Sequence, residues 1–584
     1  MSGDQLVFDM SSAPEGQASV FVRKDWLSLQ DSNNNSYVGN NIIISTDMIA
    51  NSNRYCDFRN AYLLVPLLIT MTAPIASGFA PAEPAGSADC AISLKNFYGS
   101  IIHSIQIDMN GSTISQTVPF IGLYNAFKLC TTLSFQDAIS QGPTIGFWMD
   151  NALSVGCSSR DSPSGSGTTN NRNGFEVPDV TGKFAQAGCG FNEGFYRRQS
   201  FWNFDPDALM PGGGDAAYGN LISPTRLNQV WKSYIFQKQD ASSTRPGVWQ
   251  ANIMATIYLK HISDYFLKSP LLKGCFYRLS IFLNQSSVTF TKVGGDLTDT
   301  IVNCPLGGVN PIMIASALGP KGAAEGEEPD ANQDQVASGS YGLADDVQYT
   351  VSLAVGAQCL NTVQSSLQGV KQGELNRGVL LCVPSYVFNP IFESAYISSE
   401  VKHIEYCSQY NYQIMNIQSG NSFNQNLTNG IANIKSLLFL PFFTAAANGV
   451  DGIMPIQSPY DACGGGLVSP YALLGNFQAQ ISGANVLYNA STYLHQSWNQ
   501  QTQGVNAVNA GLTDGLTSGM FGRAEWEASP FYYLDAGRCL PVEESVPKSV
   551  SVSGQNLSSL PIDIYCFITY GVSIDVSVLS GARV

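Results

Sequence analysis

The sequence predicts an all-β protein built from two tandem eight-stranded jelly-rolls, with long loop insertions and few short helices. Only 12% of its 584 residues are charged, while 11% are aromatic and 55 are glycine, a composition typical of β-rich and loop-rich chains. One pair of strand-like segments also occurs twice along the chain. With about eight strand-like segments per unit, each unit can form two four-stranded sheets packed face to face.

The duplicated pair is a continuous apolar segment followed by a second strand segment. Residues 59–70 and 433–444 each begin polar, continue apolar, contain a proline and close on threonine. Residues 101–111 and 474–483 follow, and both end in glycine. Pro66 and Gly111 are 45 residues apart, and Pro441 and Gly483 are 42 apart. The two copies begin at residues 59 and 433, and this distance is far greater than the length of a solenoid unit, which is about 20 to 50 residues. The repetition therefore indicates one duplicated domain.

The first unit is predicted to span residues 18–392, after a flexible arm at residues 1–17. Its turn residues and apolar patterns predict a helix at 119–136 and strands at 19–29, 42–46, 61–70, 101–115, 250–262, 275–284, 347–355 and 378–386. Loop-like insertions are predicted near 137–225 and 296–346. Loops of this length in a compact domain are usually functional or surface features.

The second unit is predicted to span residues 393–584, after a linker at 389–392. Its predicted strands lie at 401–417, 434–444, 477–488, 549–553 and 562–578. Residues 549–553 alternate serine and valine, a pattern typical of a strand with one buried face.

The uncharged segment 61–80 is long enough to cross a bilayer, but we predict no transmembrane segment. Pro66 and Pro74, together with neighbouring serine, glycine and threonine residues, make it a poor helix. Its copy near residue 437 is too short to span. A strand buried on both faces explains both copies.

The formal net charge of −15 argues against direct nucleic-acid binding, because the chain as a whole repels phosphate. Arg197 and Arg198 lie among aromatic residues in the segment 191–204, where they could stack on bases. We favour a loop held to its domain by those aromatic side chains.

The thirteen cysteines lie singly, and none has C-x-x-C spacing. Their odd number and the polar start of the chain, without a signal peptide, predict reduced thiols in a cytosolic or nuclear compartment.

No phosphate-binding loop, dinucleotide fingerprint, nucleophile elbow or zinc-protease motif is present in the sequence. The four histidines lack metal-ligand spacing: His103, His261, His403 and His495. We interpret His103 and His261, which lie in alternating strand patterns, as structural. We therefore predict no catalytic, cofactor-binding or metal-binding residues, and no cofactor.

Two acidic clusters remain as alternatives to a purely structural protein. The acids Glu525, Glu527 and Asp535 lie near Trp526, Tyr532 and Tyr533, a combination that could serve a glycosidase. The acidic stretch at residues 325–334 could hold a divalent cation, but it lacks the ligand spacing of a calcium loop, so we interpret it as a solvated loop.

Two groups of short motifs resemble double jelly-roll major capsid proteins, particularly those of virophages and polinton-like viruses. One group is the run 426–435 followed by residues 437–441. The other is the run 257–261 followed by residues 271–274 and by Arg278 and Leu279. The insertions near 137–225 and 296–346 have no counterpart in this resemblance.

The resemblance implies a structural role without enzymatic activity. It implies a homotrimeric, hexon-like capsomer of pseudo-hexameric outline, which tiles an icosahedral capsid around double-stranded DNA. The implied partners are neighbouring capsomers, a penton protein and minor capsid proteins, and the implied location is the virion, after assembly in the host cytoplasm or nucleus. The alternatives are a trimeric viral spike or glycan-binding β-sandwich protein, and a carbohydrate-active enzyme.

Overall fold

The structure is a computed structural model. It describes residues 19–33, 37, 39–52, 54–72, 90–147, 168–171, 175–178, 232–233, 248–293, 296–316, 348–355, 378–444, 472–487, 489–490, 526, 530–536, 544–558, 560–581 and 583–584.

The first half of the chain contains seventeen described strands. They are β1 (Phe21–Gln30), β2 (Asn41–Ser45), β3 (Tyr55–Cys56), β4 (Tyr62–Thr72), β5 (Cys90–Leu94), β6 (Ile102–Met109), β7 (Ser112–Ser115), β8 (Thr168–Asn171), β9 (Phe175–Pro178), β10 (Lys232–Ser233), β11 (Val248–Tyr258), β12 (Tyr277–Leu283), β13 (Ser287–Val293), β14 (Asp296–Asn303), β15 (Ile312–Ser316), β16 (Gln348–Val355) and β17 (Leu380–Phe388).

The second half contains eight described strands. They are β18 (Val401–Ile417), β19 (Ser422–Ile431), β20 (Ile434–Phe443), β21 (Leu474–Ile481), β22 (Ala484–Asn485), β23 (Tyr532–Asp535), β24 (Lys548–Asn556) and β25 (Ile562–Ser577).

Both halves fold as a jelly-roll with the same strand order. In the second half, the two sheets run β18-β25-β20-β23 and β19-β24-β21-β22, so its strands, counted one to eight, lie as 1-8-3-6 and 2-7-4-5. In the first half, β1-β17-β4-β11 and β2-β12-β6-β7 repeat that order, with the other strands added around them. We call the sheet containing the first and last strands of each jelly-roll its B-sheet. The predicted fold class is confirmed.

Each jelly-roll encloses an apolar core between its two sheets. In the first, Leu63, Val65 and Leu67 of β4 pack with side chains of β6 and β12. In the second, Leu437 and Phe439 of β20 pack with side chains of β21 and β24.

The repeated sequence segments form equivalent strands, but the two prolines are not equivalent. Segments 59–70 and 433–444 contain β4 and β20, the third strand of each jelly-roll, and the following segments contain β6 and β21, the fourth. Pro66 alternates with core residues of β4 and therefore faces away from the core. Pro441 alternates with Leu440 and Phe442, which lie outside the jelly-roll core, and so faces inward. An alignment that pairs Pro66 with Pro441 is therefore off by one residue. A shift of one residue exchanges the two faces of a strand.

Six α-helices are described, and two of them change the sequence-based predictions. They are α1 (Asp47–Ala50), α2 (Ile121–Thr132), α3 (Phe135–Ile145), α4 (Leu259–Ile262), α5 (Asp264–Lys268) and α6 (Pro390–Ile397), with 3₁₀ turns at Phe58–Asn60 and Tyr98–Ile101. The predicted helix at 119–136 corresponds to α2. The helix α3 occupies the start of the predicted insertion at 137–225, where Ser134 caps it by accepting a hydrogen bond from the Asp137 amide. The predicted strand 250–262 ends at Tyr258, and α4 follows.

Several strands were missed from the sequence, and β19 is the longest of the polar ones. Strand β19 is rich in asparagine and buries Leu427 and Ile431, whereas most of its other residues are exposed. Strands β14 and β15 lie within the predicted insertion at 296–346, and β14 pairs with β13 in a hairpin. The polar residues of β14 make it similar to a loop in the sequence, whereas β15 is apolar but only five residues long.

Candidate assembly surface

The two jelly-rolls pack side by side, with α2 of the first lying against the outer face of the second B-sheet. Phe127 and other apolar residues of α2 form one buried cluster with Leu440, Phe442 and Phe567 of the second jelly-roll. The Tyr124 hydroxyl lies 3.3 Å from the Thr569 hydroxyl. This contact therefore combines apolar packing with buried hydrogen bonding across the two units.

A second region of the contact involves the first strand of the second jelly-roll. Ile404 and Tyr406 of β18 belong to the core cluster of the first jelly-roll. The Tyr406 hydroxyl donates to the Ile114 carbonyl at 3.0 Å. The Asn411 side chain is only 9% exposed and donates to the Pro119 carbonyl. The outer face of β18 is thus covered at Asn411, whereas Ile404 and Tyr406 alternate with Asn411 and point to the opposite face.

A buried ion pair connects α2 with helix α5 of the same jelly-roll. Lys128 of α2 pairs with Asp264 of α5, and both side chains are largely inaccessible to water. The neighbouring Asn125 side chain donates to the Ile262 carbonyl at 3.2 Å. These polar contacts attach α2 to helices α4 and α5 of its own jelly-roll.

The corresponding outer face of the first jelly-roll is open at β1. All five side chains on that face of β1 are exposed, namely Val22, Lys24, Trp26, Ser28 and Gln30. Trp26 is 52% exposed and Val22 is 68% exposed. Among the described residues, β1 pairs with β17 alone, so its other edge carries no strand. Bulky exposed apolar residues on an open edge strand are typical of interaction sites.

Aromatic and basic side chains surround Trp26. Its ring centroid lies 5.5 Å from that of Tyr62, and the Lys24 ammonium lies 5.4 Å from the Tyr386 ring. Asp25 is paired with both Arg23 and Arg54, each at 2.7 Å. We call Val22, Lys24, Trp26, Ser28 and Gln30 the β1 face, whereas Arg23 and Asp25 alternate with them and point to the opposite side of the strand. Sequence reasoning missed it, because strand alternation does not show which of the two faces is covered.

The described histidines are separated in the structure. His103 lies on β6, and burial lowers its pKa. His261 lies on α4 beside the Tyr258 ring, and His403 forms an exposed pair with Asp575 at 2.8 Å. His495 lies outside the described residues. Within the described part of the chain, no group of three or more potential metal ligands occurs.

His261 is expected to make stability depend on pH. Burial, and then the neighbouring Lys260 and Lys128, lower the pKa of His261 to about 3 from its ordinary value of 6.5. The unfolded chain therefore binds more protons at this site between pH 6.5 and pH 3, and stability falls as the pH is lowered through that window. We expect the stability difference between the wild-type protein and His261→Gln to shift by about 1–2 kcal/mol in favour of the variant between pH 7 and pH 5.

Thermal or urea unfolding at the two pH values measures this shift. The exposed His403→Gln serves as the matched control. An identical pH response of the wild-type protein and His261→Gln would contradict the assignment.

The aromatic residues of the glycosidase candidate are not available to bind a sugar. Trp526, Tyr532 and Tyr533 are all buried, and the Trp526 indole donates to the Phe531 carbonyl at 2.8 Å. Such side chains pack in the core and cannot stack on a sugar. Asp535 lies at the end of β23, while Glu525 and Glu527 lie outside the described residues. The segment 191–204 and the acidic stretch 325–334 also lie outside them.

Most of the described cysteines are core residues. Cys56, Cys130, Cys275, Cys382 and Cys566 are buried, and Cys304 and Cys407 are partly buried. Burial raises the pKa of Cys56 and Cys275 to about 12, so these thiols remain protonated and unreactive at neutral pH.

A small cavity lies between β6, α2 and residues 307–311. Its volume is about 40 Å³, enough for one to three water molecules and too small for a sugar or nucleotide. His103 Nε2 and Asn284 Oδ1, which are buried without a protein partner, belong to residues that line it. A cavity of this volume can hold water molecules, which would satisfy these two buried polar atoms.

Within the described residues, no helix combines the length and apolar character needed to cross a bilayer. The segment predicted as a buried strand rather than a span begins as β4, where Leu63 and Leu68 are both buried although they point to opposite faces.

Comparison with known proteins gives structural matches alone. No protein family and no curated protein matches the sequence. Among solved structures, a chain of the Sputnik virophage is 11% identical with a TM-score of 0.47, over 97% of this chain and 89% of that chain. The mavirus major capsid protein is 9% identical with a TM-score of 0.41, over 97% and 91%. The Faustovirus major capsid protein is 9% identical with a TM-score of 0.40, over 96% and 91%.

The chain is similar to double jelly-roll major capsid proteins. The resemblance to virophage proteins found in the sequence is confirmed, since Sputnik and mavirus chains are among the matches. At these identities and TM-scores the matches add no argument about function. The strand order of the two jelly-rolls carries the fold assignment.

Proposed function

We propose that this protein is the major capsid protein of a double-stranded DNA virus, and that three copies form a pseudo-hexameric capsomer of an icosahedral shell. One observation carries the proposal: two jelly-rolls of identical strand order pack side by side, and one B-sheet is covered while the equivalent face of the other is open at β1. A contact that repeats between like units leads to a closed ring. Three copies supply six such units.

The proposed domain organisation follows the chain order of the strands. We propose an arm at residues 1–17, a first jelly-roll at 18–392 and a second at 393–584. In support, β17 ends at Phe388, α6 follows, and β18 begins at Val401. The α6 helix is capped by the Asn389 side chain, which accepts from the Ile391 amide.

The proposed role is structural and requires no bond-making chemistry. Its partners would be its own copies, neighbouring capsomers, a penton protein and minor capsid proteins, in virions assembled inside the host cell. The net charge of −15 favours contacts with proteins over direct contacts with the genome.

The assembly mass of the full chain tests this proposal. Light scattering is expected to give about three times the chain mass of 62.7 kDa, and negative-stain electron microscopy of the same peak a hexagonal outline. A monodisperse monomer would contradict it and would leave glycan binding and hydrolysis as the functions to assay. An elongated trimer that binds glycans would instead indicate a spike.

A further inference from the structure

We propose that Asn429 is a site of spontaneous deamidation, at which the folded protein converts its own asparagine into aspartate or isoaspartate. The inference is independent of the proposed function. Asn-Gly is the dipeptide in which this reaction meets the least steric hindrance, because glycine has no side chain. The sequence contains four such pairs, which begin at residues 110, 173, 429 and 448. The structure describes the pairs at 110 and 429, and their surroundings differ.

Asn429 lies in an exposed kink of strand β19. In the pairing of β19 with β24, the three steps from Thr428 to Ile431 correspond to two steps along β24. An irregularity of this kind disrupts the ladder of hydrogen bonds locally and bends the strand. Asn429 and Gly430 lie within it, and both are exposed. The pair is therefore accessible to water at a point where the strand is irregular.

Two hydrogen bonds at the kink favour attack of the Gly430 nitrogen on the Asn429 side chain. The Asn426 side-chain amide donates to Oδ1 of Asn429 at 2.7 Å. This bond stabilises the negative charge that Oδ1 acquires during the attack, as the donors of an oxyanion hole do. The Gly430 amide donates to the Thr428 hydroxyl oxygen at 3.4 Å, so that this hydroxyl can relay the amide proton.

The reaction is an intramolecular substitution followed by hydrolysis. The Gly430 nitrogen attacks Cγ of Asn429, a new N–Cγ bond forms, and the C–N bond of the side-chain amide breaks. The leaving nitrogen takes up the proton of the Gly430 amide and departs as ammonia, which leaves a cyclic imide. Water then opens the imide at either carbonyl and gives aspartate or isoaspartate. The net change is one amide replaced by one carboxylate, without cofactor or oxidant.

Asn110 belongs to the same dipeptide, but both ends of its side-chain amide are held. Its Oδ1 accepts from the Phe276 amide at 2.9 Å, and its Nδ2 donates to the Ser580 carbonyl at 3.3 Å. Its backbone has a φ of 47° in the turn between β6 and β7. The Asn110 side chain must leave both partners before it can react. We therefore expect deamidation at Asn110 to be at least about tenfold slower than at Asn429.

The fold can accommodate the product at position 429. Leu427 and Ile431, on either side of the kink, are buried in the core of the second jelly-roll and hold β19 in place. Gly430 lines a groove together with Glu405 and Glu544, so the new carboxylate forms next to an acidic groove. Ageing of the protein therefore adds one negative charge to this part of the surface without unfolding it.

Peptide mapping by mass spectrometry tests the inference on the folded full chain after incubation at mildly alkaline pH. We expect Asn429 to deamidate at least about tenfold faster than Asn110, and electron-transfer fragmentation to identify isoaspartate at position 429. The same protein unfolded in urea is the control. Both pairs lose their contacts there, so their rates are expected to become similar. Equal rates at the two positions in the folded protein would overturn the inference.

Three variants separate the contributions of the individual contacts. Asn426→Ala removes the donor to Oδ1 and is expected to slow deamidation at Asn429 about threefold to tenfold. In Gly430→Ala the added Cβ meets nothing within 4 Å, so the variant can fold, but the methyl group hinders the attacking nitrogen and is expected to suppress the reaction. Asn424→Ala, at another exposed asparagine of β19, is the matched control and is expected to leave the rate unchanged. Unaltered deamidation in Asn426→Ala would show that the assigned hydrogen bond is not responsible.

Discussion

Replacing Trp526 by alanine is expected to lower the free energy of unfolding by about 3–5 kcal/mol. The Trp526 side chain is fully buried in the cluster that joins α2 to the second jelly-roll. Its removal leaves a large cavity and also leaves the Phe531 carbonyl without its indole donor. Urea unfolding at one fixed protein concentration measures the change.

Trp526→Phe separates the cavity from the hydrogen bond. It keeps most of the apolar volume and is expected to cost about 1–2 kcal/mol. Because the cluster also contains Phe127 of α2, hydrogen exchange in α2 is expected to accelerate in Trp526→Ala. A loss below about 1 kcal/mol, with unchanged exchange in α2, would show that this cluster does not hold the two jelly-rolls together.

Replacing Lys128 by methionine is expected to cost about 3–5 kcal/mol, because it leaves the buried Asp264 carboxylate without its cation. The aliphatic volume of the side chain is largely kept, so the effect reports the lost charge. The free energy of unfolding near pH 7 is the quantity to compare.

The double variant Lys128→Met/Asp264→Asn is the diagnostic partner. It removes both charges and is expected to recover a large part of the lost stability. His403→Gln, which breaks the exposed pair with Asp575, serves as the comparison and is expected to cost less than about 1 kcal/mol. A double variant as unstable as Lys128→Met alone would rule out an unpaired carboxylate as the cause.

The strands buried on both faces were the most predictable from the sequence. Continuous apolar segments predicted β4 and β20 close to their observed limits, and a long apolar-rich segment predicted β25. The repeat of these segments predicted two like domains. Burial of this kind leaves a local signal, because almost every residue of the strand must be apolar.

The functional surface was less predictable. Trp26 and Leu29 belong to one strand, and only the packing shows that Leu29 faces the core while Trp26 faces water. Likewise, the segments 59–70 and 433–444 place their prolines one position apart, but only the packing shows that Pro66 faces outward and Pro441 inward.

By itself, the sequence determined the all-β class, the duplication and the place of most long strands, because these follow from local alternation and apolar content. Only the tertiary structure decided which strands pair, as when Phe21 of β1 meets Phe388 of β17, and which sheet face is covered. Such choices depend on contacts between residues hundreds of positions apart. The burial of Asn411 on β18 and the exposure of Trp26 on β1 depend on such contacts, so only the tertiary structure shows them.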